Sequence, residues 1–134
     1  MLPSSSYGSV PNWPAAATAA RLGQLSGVAI DKYGNAVVFH RGDRTWNAAT
    51  FNRDNTYGGD RGVPIPMDTV LTINSTGHVV NSWGSGLFFL PHMITVDSQN
   101  NVWLTDVALH QVFKFPPYGG DHKPLIKLGE EVSK

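Results

Sequence analysis

The chain contains the same β unit twice. Set beneath one another without a gap, Val28-Ala29-Ile30-Asp31 and Ile94-Thr95-Val96-Asp97 bring Gly34-Asn35 onto Asn100-Asn101 and Val37-Val38 onto Trp103-Leu104. Val70 to Ile73 then falls on Val112 to Phe115, and each copy is followed by a glycine turn, Gly77 in one and Gly119-Gly120 in the other. Such recurrence constrains the fold strongly, because equal units must form equal supersecondary structure and bury their faces on one another. The runs themselves are short and β-like: Val28 to Ile30, Ala36 to Phe39, Thr69 to Ile73 and His78 to Val80 in the first copy, then Met93 to Val96, Val102 to Leu104 and Val112 to Phe115 in the second. Gly34 and Asn35 suit a turn that needs positive φ. An apolar-x-x-Asp-x-x-Gly/Asn-Asn turn inside a repeating four-stranded unit reads as a β-propeller blade. The expected fold is therefore all-β, with about two blades. Two blades leave apolar faces wet, since about three repeats are usually needed for stability. The chain is expected to be a piece of a longer protein or to pack its open sides on something else.

The copies differ mainly by an insertion at about 41–67, which carries Trp46, Phe51 and Tyr57. Loops longer than about 15 residues are uncommon unless functional or disordered, so this one is expected to pack and to serve function. Residues 1–21 are Ser-, Pro-, Gly- and Ala-rich and read as a flexible lead-in arm. The run Ala15 to Leu22 has helical composition but is too short for more than a frayed turn or two. Residues 22–129 form the partial β-propeller domain, and 130–134 a divergent tail.

At 134 residues the chain suffices for one domain with a core. Lys plus Arg and Asp plus Glu are balanced at 10 each, without a charge run, which argues against nucleic acid and anionic membrane as partners. Without cysteine there is no disulfide and no thiolate metal site, so a zinc ion would need His and carboxylate ligands. Neither a signal peptide nor a membrane span is expected from this sequence. Asn74-Ser75-Thr76 is a glycosylation sequon, relevant if a longer precursor enters the secretory pathway.

Several separate motifs point further. Gly23-Gln24-x-Ser26-Gly27-Val28-Ala29, Phe39-His40-Arg41-Gly42-Asp43, Leu90-Pro91-His92 and Thr105-Asp106-Val107-Ala108-Leu109-His110-Gln111-Val112-Phe113-Lys114 together resemble the peptidyl-α-hydroxyglycine α-amidating lyases over about residues 22–129. The resemblance implies the N-terminal part of a six-bladed, NHL-type propeller. It implies a carbon-nitrogen lyase that cleaves α-hydroxyglycine-extended peptides to amidated peptide and glyoxylate. It also implies Zn(2+) and Ca(2+) as cofactors, a fused or separate copper monooxygenase as partner, and a secreted or secretory-pathway glycoprotein. On this resemblance His92 matches a zinc ligand, Arg41 the arginine that holds the substrate carboxylate, and the backbone carbonyls of Val28 and Ile94 two calcium ligands. The remaining zinc histidines, the base tyrosine, a further arginine and the calcium aspartate belong to later blades, so the chain alone is expected to be inactive. The alternative is a non-catalytic NHL-repeat binding or scaffold module.

The other polar and aromatic residues have simpler readings. His40 is expected to order its surroundings through hydrogen bonds, His110 to pack within its blade, and His78 and His122 to face solvent. Asp97 and Asp106 read as turn and corner acceptors. Trp103 and Phe113 read as blade core. An ion pair of Arg41 with Asp43 or Asp31 is its bland alternative.

Overall fold

A computed structural model describes residues 6–45 and 63–130. Trp46, Phe51 and Tyr57 of the insertion lie outside the described residues, as do residues 131–134 of the tail.

The backbone is almost entirely β. Strands β1 (Leu25–Ile30), β2 (Ala36–His40), β3 (Val70–Ile73) and β4 (Val79–Trp83) form one antiparallel sheet, and β5 (Pro91–Val96), β6 (Val102–Asp106), β7 (Gln111–Phe115) and β8 (Ile126–Leu128) form another. Each sheet is a meander in sequence order, the topology of a propeller blade. The sequence pattern leaves β8 undetected. Its three residues are all exposed, so burial imposes no apolar alternation on them, and pairing with β7 alone defines the strand.

The repeat alignment holds in atomic detail. Asp31 accepts from Tyr33 N and Asn35 N, and Asp97 accepts from Gln99 N and Asn101 N, all four at 2.9 Å. Gly34 and Asn100, aligned in the repeat, both have positive φ, at 85° and 66°. The turns also join the sheets, because Lys32 N donates to Asn100 Oδ1 at 3.1 Å.

The sheets pack face to face. Strand alternation sends Val37, Phe39, Val70 and Trp83 of the first sheet onto Ile94, Val102, Leu104, Phe113 and Phe115 of the second. Phe88, in the connection between blades, sits at the centre, with ring centroids 4.9 Å from Phe39, 5.9 Å from Phe113, 6.2 Å from Phe115 and 6.5 Å from Trp83. Phe113 is core, as its sequence context indicates. Trp103 is not. Flanked by the inward Val102 and Leu104, it points to the opposite face, half-buried, where its Nε1 donates to Asp97 Oδ2 and Lys114 lies over its ring. Its counterpart in the repeat is Val37, which faces the second blade. Trp103 occupies the corresponding forward face of blade two, lined by Met93, Thr95, Trp103, Thr105 and Val112 around an open trough of about 440 Å³.

The opposite, outer face of the first sheet is partly covered by the lead-in arm. A single helical turn, α1 (Ala16–Ala19), precedes Leu22, which packs on Val38, Leu71 and Ile73, and the buried Thr18 donates through Oγ1 to Gly77 O at 2.8 Å. Gly77 has positive φ, and a Cβ there would stand 2.6 Å from Ala15 N. The arm does not reach β1, where Val28 and Ile30 remain 63% and 62% exposed.

Candidate functional site

Of the four residues singled out by the sequence, Val28 lies on β1 and His92 and Ile94 on β5, two strands that run side by side, and Arg41 reaches Pro91 of β5 from the end of β2. Gly27 makes the approach close: a Cβ on it would lie 3.1 Å from Ile94 N and 3.3 Å from His92 O. Hydrogen-bonded and non-hydrogen-bonded pairs alternate along an antiparallel ladder. Asp31 N donates to Asn35 O at the end of the β1–β2 pair, so Ala29 and Gly27 are the next hydrogen-bonded positions and Val28 directs its backbone groups away from β2. The same count from Asp97 N and Asn101 O places Ile94 at the non-hydrogen-bonded position of β5. The backbone groups of Val28 and Ile94 thus leave the inner edges of their sheets at equivalent positions.

Arg41 follows β2 and is only 6% exposed. Its Nε donates to Pro91 O at 2.9 Å and its Nη1 to Gln24 Oε1 at 2.8 Å, while its backbone N donates to Gln24 O at 2.9 Å. The guanidinium is therefore tied to the residue before His92. Burial lowers its pKa through desolvation, yet an arginine starts so high that it stays charged. The carboxylate of Asp31 is engaged by its own turn, with Asn35 Nδ2 at 3.1 Å in addition to the two backbone donors.

His92 stands exposed at the start of β5, where the β5–β6 register shifts between Pro91 and Ile94. A shift of this kind turns a side chain out of the regular alternation. Both sides of it are anchored. Met93 N donates to Thr105 Oγ1 at 2.9 Å. Upstream, the carboxylate of Asp106, 1% exposed, accepts from Phe89 N at 2.7 Å and from Leu90 N at 3.2 Å, and also takes Leu109 N at 3.1 Å. Desolvation raises the Asp106 pKa, against the lowering effect of these bonds. Asp106 is thus a corner acceptor, as its sequence context indicates.

His40 orders its surroundings by hydrogen bonding. Buried at 1% exposure, its Nδ1 accepts from Gly23 N at 3.1 Å and Gly42 N at 3.2 Å, and its Nε2 lies 2.9 Å from Asp68 O. His78 and His122 are exposed. His110 departs from the sequence reading. It is exposed with φ 56°, in the turn before β7 rather than within the blade, and there a side chain cannot follow strand alternation.

Sequence reasoning missed the roles of Gln24 and Gly27. Both lie in the first quoted motif, but a partner across 17 residues and a backbone contact across the blade seam leave no local pattern. Among the described residues no three His, Cys, Asp or Glu side chains converge. One solvent-open imidazole and two outward backbone positions therefore fit contributions to metal sites, without forming a closed set.

The chain is 49% identical over 119 residues, 88% of its length, to peptidyl-alpha-hydroxyglycine alpha-amidating lyase 1 of Drosophila melanogaster, and 42% identical over 122 residues to lyase 2 of the same organism. It is 45% identical over 112 residues to peptidylglycine alpha-amidating monooxygenase of Rattus norvegicus. It spans 22%, 29% and 11% of these relatives' own lengths. No family model matches the chain.

Proposed function

We propose, from the premise that this chain is homologous over most of its length to one segment of the peptidyl-α-hydroxyglycine α-amidating lyases, that it supplies the first part of such a lyase's active site. The reaction breaks the C–N bond of a peptidyl-α-hydroxyglycine. The hydroxyl-bearing carbon becomes the aldehyde of glyoxylate, and the hydroxyl proton passes, in net terms, to the amide nitrogen of the released peptide. The observation that carries the reading is the 2.9 Å bond from Arg41 Nε to Pro91 O, which couples the candidate carboxylate-binding side chain to the residue before His92.

In this reading His92 would contribute one ligand to a zinc ion, and the backbone carbonyls of Val28 and Ile94 would contribute to a calcium ion. A bound zinc ion supplies a Lewis acid that polarises or deprotonates a hydroxyl near neutral pH. Arg41 holds the substrate carboxylate. Its bonds to Pro91 and Gln24 fix the plane of the guanidinium, and the low-dielectric seam strengthens its field on an approaching anion. Asp106 and Thr105 hold the backbone on either side of His92. The substrate implies a preceding monooxygenase step, on the same polypeptide or a separate one, and a place in the secretory pathway. The turn holding Asn74 suits a glycan, since Ser75 and Thr76 are exposed.

A chimera tests this, with residues 22–129 replacing the matching segment of the Drosophila lyase 1. The expected result is zinc-dependent glyoxylate release, reduced about 100-fold or more by Arg41→Ala, the scale of losing a preorganised electrostatic contact. Zinc content that does not change in His92→Ala would remove that residue from the metal site. The scaffold reading draws on the apolar trough of about 440 Å³ on the second sheet. Peptide binding that survives in an inactive chimera would favour it.

A further inference from the structure

We propose that His40 is a positioning residue, a neutral imidazole protonated only at Nε2, which holds the turn carrying Arg41 and so sets where the guanidinium stands. This rests on the lyase reading only for what Arg41 binds; the positioning itself is a statement about this chain.

The hydrogen-bond partners decide the tautomer. Asp68 O is an acceptor, so at 2.9 Å His40 Nε2 must carry the proton. Gly23 N and Gly42 N are donors, so Nδ1 at 3.1 and 3.2 Å must be the unprotonated nitrogen. One ring thus joins three segments: the chain entering β1, the turn leaving β2, and the segment before β3. Arg41 stands in the chain between the imidazole and one of its Nδ1 donors, Gly42. Its own N donates to Gln24 O, one residue from Gly23, and its side chain takes Gln24 Oε1. Glycine is required at both contacts. A Cβ on Gly23 would stand 1.9 Å from Gly42 O, and Gly42 has φ 60° with Met67 Sδ 2.7 Å from a Cβ position. The imidazole therefore fastens two backbones already in close approach, and Arg41 extends from that junction to Pro91, beside His92.

The arrangement also opposes a second proton. An imidazolium would turn Nδ1 from acceptor to donor and face it with two N–H groups. The charged groups around the ring divide: Arg21 disfavours the cation and Asp68 favours it, and Arg41 follows directly in the chain. Burial is the largest influence and lowers the pKa. Acid that does protonate the ring should release the Gly23 and Gly42 contacts together and loosen Arg41.

Nitrogen-15 NMR on the labelled chain tests this without any activity measurement. Long-range imidazole correlations should show His40 with a protonated Nε2 and a bare Nδ1 near neutrality. In His40→Ala the Gly42 amide and the Arg41 Nε–H should exchange about tenfold faster or more, the equivalent of one ordinary hydrogen bond, while Leu104 and Phe113 amides keep their protection. His40→Asn, whose Oδ1 can stand in for Nδ1, should restore most of the Gly42 protection. An Nδ1–H tautomer in the native chain overturns the proposal even if His40→Ala does not fold. Unchanged Arg41 Nε–H exchange in a folded His40→Ala overturns it too. If the exchange results hold but the chimera releases no glyoxylate, the lyase reading fails and the positioning role stands.

Discussion

Asp106 shows how much one buried side chain can organise. A carboxylate at 1% exposure would ordinarily shed its charge, and desolvation does raise its pKa. Its oxygens nevertheless gather the N–H groups of Phe89, Leu90 and Leu109, fixing the entry to β5 two residues before His92. Asp106→Ala leaves the buried Leu90 and Leu109 N–H groups and the part-buried Phe89 N–H without an acceptor, and at about 1–3 kcal/mol for each buried group it should lower stability by about 2 kcal/mol or more. Urea unfolding measures this, and Asp106→Asn should recover part through its remaining oxygen. The role was legible in the sequence because an aspartate at a strand corner has few other uses. Trp103 was not. Its size suggested core, whereas alternation within β6 placed it on the outward face, against Asp97 and Lys114.

At the scale of the elements, β1 and β5 touch because Gly27 lacks a side chain. In Gly27→Ala the new methyl meets Ile94 N at 3.1 Å and Ile94 Cγ2 at 3.2 Å, so the strands must separate by a few tenths of an ångström. Overpacking of this kind costs about 1–3 kcal/mol, and the exchange protection of the neighbouring Thr95 amide, at a hydrogen-bonded position of β5, should fall with it. The aromatic cluster makes the complementary prediction. Phe88 touches rings from both sheets, and Phe88→Ala should cost about 3–5 kcal/mol, read as a loss of urea midpoint. Gly119 joins the same cluster from the β7–β8 loop. It has φ 83°, and a Cβ would stand 2.4 Å from the Trp83 ring, so alanine there should be more disruptive than at Gly27. Strands β1 to β7 were visible as short apolar runs, but β8 and the contact at Gly27 depend on partners distant in the chain.

For the whole molecule, stability should depend on pH with a defined sign. His40 has a folded pKa below the ordinary 6.5, so its contribution is full above that value and is lost as pH falls from there toward the depressed pKa. Asp97 adds to the same trend at lower pH. Desolvation raises its pKa, but hydrogen bonds from Trp103, Asn101 and Gln99 outweigh this and hold it below 3.8, so its contribution is lost as pH falls through the depressed value. Asp106 acts oppositely, because its raised pKa makes stability decline as pH climbs above 3.8. Below 6.5 the His40 contribution to the thermal midpoint therefore falls with pH, while that of Asp106 moves the other way. The His40 part is isolated by comparison with His40→Asn, which has no titratable ring: the midpoint of the native chain should fall relative to that of the variant as pH drops from 6.5. The apolar faces add a separate expectation: Trp103 and Val112 border an open trough while Val28 and Ile30 are exposed at the other side. A fluorescent apolar probe should bind the folded chain, and Val112→Lys should weaken that binding.

The sequence by itself determined the β class, the doubled blade and the Asp-centred turns. Each rests on a local period or a turn requirement, and these are written in chain order; Arg41, His92, Val28 and Ile94 were singled out only by the resemblance of separate motifs. Only the tertiary structure decided that β1 and β5 run side by side, that Gly27 permits this approach, that Arg41 reaches Pro91 beside His92, and that His40 and Asp106 hold the backbone around them. Hydrogen bonds across 17 to 50 residues and the burial of one blade on the next create these relations. They exist only when the sheets are packed together.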